Sequence, residues 1–174
     1  MNPSAHTTAV QLILTEQLLP ALRRTVAELG NDDPNTLVHT RPTGIASSYP
    51  TNSAAGIVRH LCGVLDSWGA ACLGGREIER DREAEFRYAG PVVSQLDRLD
   101  DLVAQLPQWT VAADERGALC HATGTGFDVD SARAAGTLTP QWVLAHILHD
   151  VAGHLGHLEV TRDILLTEVG PGPR

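Results

Sequence analysis

Four stretches of this 174-residue sequence carry apolar residues at intervals of three and four, separated by loops rich in Gly, Pro, Ser and Asp. This spacing places apolar side chains on one face of an α-helix. It predicts helices over about 7–29, 53–72, 91–106 and 139–168. Because no stretch shows a convincing strand pattern, we expect an all-α fold, an antiparallel four-helix bundle formed by a single domain over 1–174.

The helix boundaries follow from capping residues and from residues that cannot continue a helix. In chain order, these are Asn52 or Ser53 before the second helix and Gly74 and Gly75 after it, Pro91 and Pro107 at the two ends of the third helix, and Thr139 and Pro140 at the start of the fourth. Pro20 is predicted to kink or split the first helix. Residues 108–137 carry four glycines and no clean period. They predict a long irregular loop, of a length typical of a lid or a wall over a site.

The charge, the hydropathy and the cysteine content of the sequence disfavour some binding partners and favour one cellular compartment. The net charge is −8, and all 13 basic residues are arginine, so nucleic acid is not an expected partner. No stretch approaches the roughly 18 apolar residues of a membrane span. Three widely spaced cysteines, Cys62, Cys72 and Cys120, form no Cys-x-x-Cys pair and favour a reducing, cytoplasmic location.

Two of the predicted helices carry ionisable side chains beside their apolar faces. His60 lies in the apolar second helix, and Asp150 and His154, four residues apart, leave the same face of the fourth. Two imidazoles and a carboxylate are good ligands for zinc, nickel or iron(II), and three protein ligands leave positions open for water, a thiol or a substrate. The spacing therefore favours a metalloenzyme, with Gly63 and Val64 beside His60 leaving space for a ligand. The alternative interpretation is a hydrogen-bonded core histidine and a surface Asp–His pair.

Other histidines extend or complete this pattern. His146, Asp150, His154 and His157 fall within one helical sector of about 80°, and His149 points about 60° outside it. We expect the other three histidines, His6, His39 and His121, to be exposed to solvent, because they lie in loops or at the terminus. A Cys120–His121 nucleophile and base is disfavoured, because sequence neighbours on an irregular loop rarely meet in the required geometry.

Residues 76–85 place Arg76, Arg80 and Arg82 among five acidic residues. The simpler interpretation is a solvated loop held by local ion pairs. The alternative is a rim of arginines that contacts an anionic ligand.

The segments 57–68, 74–76, 80–86 and 146–163 resemble the DinB superfamily, in the branch of the mycothiol-dependent transferases and maleylpyruvate isomerases. The resemblance covers about two thirds of the chain. It implies a four-helix bundle with a divalent metal, zinc first and nickel or iron as alternatives, bound by His60, Asp150 and His154. Either His146 or His157 could replace Asp150 as a ligand. Bundle proteins of this kind often dimerise, so a homodimer is one expectation.

The resemblance also implies a reaction. A mycothiol-like thiol at an open metal position loses its proton and attacks an electrophilic carbon of a small-molecule substrate, with His146, His149 or His157 as proton acceptor. The isomerase relatives carry an additional carboxy-terminal domain, for which this chain is too short, so the transferase is favoured. Two alternatives stay open: a metal-dependent hydrolase or isomerase that needs no thiol, and a non-catalytic protein that sequesters a small molecule for self-resistance.

Overall fold

All regular structure in the described ranges is helical. The computed structural model describes residues 2–33, 36–43, 51–121 and 127–169. Over these ranges it has seven α-helices, two π-helical segments and no strand, which confirms the all-α class. The elements are α1 (Ala5–Ile13), π1 (Leu14–Leu18), α2 (Leu19–Glu28), α3 (Ala54–Val64), π2 (Leu65–Leu73), α4 (Arg82–Phe86), α5 (Val92–Arg116), α6 (Phe127–Ala134) and α7 (Pro140–Val169).

The first predicted helix is formed by α1, π1 and α2 without a break. Pro20 lies in the first turn of α2, directly after π1, where the Leu19 N–H donates to the Leu14 carbonyl. Proline has no N–H, so Pro20 cannot donate the backbone hydrogen bond that an α-helix requires at this position. The wider π turn before it already departs from the regular α-helical hydrogen-bond pattern. The chain therefore stays helical through Pro20 and is not split there.

The second predicted helix, α3 with π2, lies at the centre of the molecule. Ser53 is its N-cap, as predicted, and its Oγ accepts a hydrogen bond from the Gly56 N–H at 3.2 Å. Gly75, with a φ of 76°, follows its end. Almost every residue of α3 is buried, and the helix contacts α4, α5 and α7. Side chains on α3 are therefore shielded from water on most sides.

The third predicted helix is longer than the sequence suggested. We expected it to end before Pro107, but α5 runs from Val92 to Arg116 with Pro107 inside it, so that boundary is wrong. A proline removes one backbone hydrogen bond. Burial of Leu106 and Trp109 on either side keeps the helix continuous, because their apolar faces must stay against the core.

The predicted loop over 108–137 is correspondingly wrong for most of its length. Residues 108–116 belong to α5, and Phe127–Ala134 form α6. Glycine ends both helices, with Gly117 and Gly136 at φ values of 68° and 66°. Residues 122–126 of the predicted loop lie outside the described residues, and its role as a lid stays a prediction.

The fourth predicted helix is α7, which begins at Pro140 and ends at Val169. Thr139 caps it as predicted, because its Oγ1 accepts from the Trp142 N–H at 3.2 Å. The inner face of α7 contributes Val143, Ile147, Val151 and other apolar residues to the core. No helix in the described ranges is long and apolar enough to cross a membrane.

Candidate functional site

The candidate site lies where α3 and α7 face each other. His60 of α3 and His154 of α7 meet edge to face, with ring centroids 4.7 Å apart and an interplanar angle of 69°. His60 is only 3% exposed, and Phe86 of α4 stacks on its ring at 4.4 Å. Two of the three predicted ligands are therefore in contact, although 94 positions of sequence separate them.

Asp150, the third predicted ligand, has a different neighbour. It lies one turn before His154 on α7, and its Oδ2 is 3.5 Å from Nε2 of His146. Among the residues that the structure describes, no group of three or more His, Cys, Asp or Glu side chains is arranged to hold a metal ion. The structure thus assembles an imidazole pair and leaves the carboxylate beside His146.

A buried glutamate that the sequence did not single out borders His60. Glu85 is 3% exposed, and Nδ1 of His60 donates to its Oε2 at 2.7 Å. Arg80 donates to both oxygens of the same carboxylate, from Nε at 2.7 Å and from Nη2 at 3.1 Å. Burial raises the pKa of Glu85, but the hydrogen bonds from His60 and Arg80 outweigh it and lower the pKa to about 2. Glu85 is therefore an ionised, fully engaged carboxylate in the interior.

This arrangement bears on two predictions. Residues 76–85 were expected to form a solvated loop held by local ion pairs: residues 76–79 and 81–84 are exposed and Arg80 pairs with Glu85, as predicted. The prediction is wrong in two respects, because Glu85 is buried and Arg82–Phe86 form the helix α4. Glu85 occupies part of the space predicted beside Gly63, because a Cβ added there would overlap Oε1 of Glu85 and lie 2.5 Å from its Cδ. Gly63 also lines a cavity of about 460 Å³, so space for a ligand remains on this side of α3.

Two features of the sequence could have indicated α4. Asp81 caps this helix by accepting a hydrogen bond from the Ala84 N–H at 2.9 Å, and the aromatic residue Phe86 ends it. A five-residue helix is too short for periodicity to reveal which side faces inward.

His154 and its neighbour His157, both on α7, are partly shielded from water. Burial lowers the pKa of His154 to about 4, with smaller effects in the same direction from His60, His157 and Arg82. Burial also lowers the pKa of His157, whose ring centroid is 6.2 Å from that of His154. Nδ1 of His154 is buried and has no hydrogen-bond partner among the described residues. At neutral pH both imidazoles are neutral and each keeps a lone pair.

The remaining predicted proton acceptors lie further along α7. His146 is packed between two tryptophans, stacked on Trp142 at 4.9 Å and edge to face with Trp68 at 4.8 Å. Sequence reasoning assigned no role to either indole, although Trp142 precedes His146 by one helical turn. His149 is exposed, with its ring centroid 6.5 Å from that of His146. The His146 surroundings are therefore aromatic, with Asp150 as the polar neighbour.

The three arginines of the predicted rim are placed differently from one another. Arg80 is bound to Glu85, whereas Arg76 and Arg82 are exposed, and Arg82 lies near enough to His154 to affect its pKa. A cavity of about 460 Å³ opens beside the Arg80–Glu85 pair, between α3 and the segment before α4. Among the other residues, His6, His39 and His121 are exposed, as predicted.

The helices bring two imidazoles together, and a buried carboxylate contacts one of them. These features define the class as an all-α protein with a polar site between helices. A family model described as Mycothiol-S-transferase matches residues 14–166, which include the whole candidate site. The chain belongs to this mycothiol S-transferase family within the DinB superfamily, so the predicted resemblance is confirmed. No curated protein and no solved structure matches the chain.

Proposed function

We propose that this protein is a metal-dependent S-transferase that joins mycothiol to an electrophilic small molecule. The observation that carries the proposal is the family match over residues 14–166. The contact between His60 and His154 supports the metal dependence. The mutual contacts of α3, α5 and α7 support an antiparallel four-helix bundle as the scaffold.

The two imidazoles are compatible with one shared ion. With Zn–N distances of about 2.0–2.1 Å, two imidazoles on one zinc place their ring centroids about 5 Å apart. The separation here is 4.7 Å. The buried Nδ1 of His154 lacks a partner among the described residues, and an unsatisfied buried nitrogen is unfavourable unless something binds it.

Asp150 is the proposed third ligand, from the turn of α7 before His154. Its carboxylate must leave His146 to reach the imidazole pair, because it lies within ion-pair distance of His146 in the structure. His157, whose ring borders that of His154, is the alternative third ligand.

The chemistry is nucleophilic substitution or addition by a thiolate. A divalent ion on these ligands would lower the pKa of a thiol and favour its thiolate. With Asp150 as the third ligand, we assign the thiol proton to His157, because burial lowers the pKa of this imidazole and so favours its unprotonated form, and because its ring lies beside His154. In a substitution, the thiolate sulfur forms the new C–S bond while the leaving group departs from that carbon with its bonding electron pair. In an addition, the electrons of the attacked double bond move to the neighbouring atom, which takes up a proton. Burial of His60 beneath Phe86 keeps water from this side of the site.

A metal and turnover assay tests the proposal. Purified protein is analysed for bound metal and incubated with mycothiol and a panel of electrophiles, and thiol consumption and product mass are measured. We expect one metal ion per chain and an activity that falls by about 100-fold in His154→Ala, whereas His39→Ala, an exposed histidine in a loop, should retain full activity.

Three outcomes would contradict it. Thiol transfer that survives complete metal removal would exclude metal dependence. Turnover without thiol would favour the hydrolase or isomerase alternative, and stoichiometric capture without a product would favour a sequestering protein. A cytoplasmic location and a homodimer stay predictions from the sequence.

A further inference from the structure

We propose that Glu85 is the positioning residue of the metal site: its carboxylate fixes the tautomer and the ring orientation of His60, so that Nε2 presents the lone pair. This inference rests on the metal dependence proposed above. It assigns a role to a residue that lies on α4, outside the two helices that supply the proposed ligands.

The hydrogen bonds around Glu85 determine the tautomer. Arg80 donates to both oxygens of Glu85, so the carboxylate acts only as an acceptor. The 2.7 Å contact with His60 therefore requires a proton on Nδ1. In a neutral imidazole the lone pair is then on Nε2, the nitrogen available to a metal. Nη2 of Arg80 lies 3.4 Å from Nδ1, a contact that would suit the opposite tautomer. The contact of Nδ1 with the carboxylate is much shorter, at 2.7 Å, and an unprotonated Nδ1 would be repelled there, so the proton on Nδ1 is favoured.

The packing fixes the ring as well as the proton. Phe86, adjacent to Glu85 on α4, stacks on the imidazole with an interplanar angle of 24°. One short helix thus holds both a face and the Nδ1 edge of His60. Asp81 at the N-cap of α4 anchors that helix through the Ala84 N–H.

The burial of the carboxylate is better explained by positioning than by stability. Burying an ion pair requires desolvation that an apolar side chain of similar size avoids. Here helix α3 carries a glycine at position 63, and the absence of a Cβ is what lets the carboxylate lie against the helix. Carboxylate–histidine–metal arrangements use this contact to orient the ligand and raise its basicity.

The experiment compares Glu85→Gln with Glu83→Gln. Glu83 lies on the same short helix, but its side chain is 87% exposed, so it is the matched control. Affinity for Co²⁺ is measured by chelator competition in the folded full-length proteins, and circular dichroism checks folding. Long-range ¹H–¹⁵N NMR of metal-free wild-type protein reports which nitrogen of His60 carries the proton.

We expect the Kd for Co²⁺ to rise about 10- to 100-fold in Glu85→Gln and to stay unchanged in Glu83→Gln. In the wild type, Nδ1 of His60 should be protonated and Nε2 unprotonated. Wild-type affinity in folded Glu85→Gln would overturn the positioning role. A proton on Nε2 of His60 in the metal-free wild type would also overturn the positioning role. Because this NMR measurement uses only the wild-type protein, it decides the question even if Glu85→Gln does not fold. If the wild type itself binds no Co²⁺, the metal site fails and the positioning role fails with it.

Discussion

Replacing Gly63 by alanine should destabilise the protein, although alanine is the better helix former by about 1 kcal/mol. The added Cβ would overlap Oε1 of Glu85 and lie 2.5 Å from its Cδ. Because non-bonded carbon atoms sit about 3.5–4.0 Å apart, the carboxylate must retreat by about 1 Å or more. Both 2.7 Å hydrogen bonds, from His60 and from Arg80, would then lengthen or break.

The magnitude follows from opposing contributions. Breaking a buried charged pair costs about 3–5 kcal/mol. After the gain in helix propensity, we expect the free energy of unfolding to fall by about 2–4 kcal/mol. Urea unfolding of the metal-free protein, followed by circular dichroism, measures this change.

Two glycines of α7 provide the matched controls. A Cβ added to Gly153 or Gly156 meets nothing within 4 Å, so alanine there should stabilise the protein by about 0.5–1 kcal/mol. In a Glu85→Ala background the obstacle is gone, and Gly63→Ala should become neutral or stabilising. A Gly63→Ala protein as stable as Gly153→Ala would refute this account of the Glu85 pocket.

Two further predictions concern acid stability and helix capping. The pKa of His154 is lowered to about 4 from a usual 6.5, so the folded state binds this proton less readily than the unfolded state. In metal-free protein this stability, about 2 kcal/mol after allowance for partial exposure, is intact above pH 6.5 and is lost as the pH falls towards 4. Urea unfolding at several pH values should show a flatter slope in that window for His154→Phe, and an unchanged slope would contradict the assignment. Asp32 caps α5 by accepting from the Val92 N–H at 2.5 Å and the Val93 N–H at 3.3 Å. Asp32→Ala should lower the free energy of unfolding by about 1–2 kcal/mol and Asp32→Asn by less, and equal losses in the two variants would argue against capping.

Local signals predicted most of the helical structure. The caps Ser53 and Thr139 were predicted correctly, because an N-cap hydrogen bond involves only residues two or three positions apart. Pro107 misled the prediction, because a local rule about proline was overridden by burial of Leu106 and Trp109 against distant helices. Such tertiary burial cannot be read from a local window of sequence.

The residues of the candidate site likewise divide into those that local sequence patterns could identify and those that they could not. His60 and His154 were identifiable because each lies at a defined position of a strongly patterned helix. Glu85 was not, because its burial depends on Gly63 and on a 2.7 Å contact with a residue 25 positions earlier. The sequence could not predict which way the Asp150 side chain turns either. That orientation depends on its contact with His146, whose ring is held between two indoles.

Anomalous X-ray scattering from crystals of the zinc-loaded protein tests the central claim most directly. The account predicts a single strong zinc peak between α3 and α7, about 2.0–2.1 Å from one nitrogen each of His60 and His154. It also predicts a carboxylate oxygen of Asp150, or a nitrogen of His157, at a similar distance. A peak elsewhere in the molecule, or His60 and His154 in unchanged edge-to-face contact with no zinc between them, would contradict it.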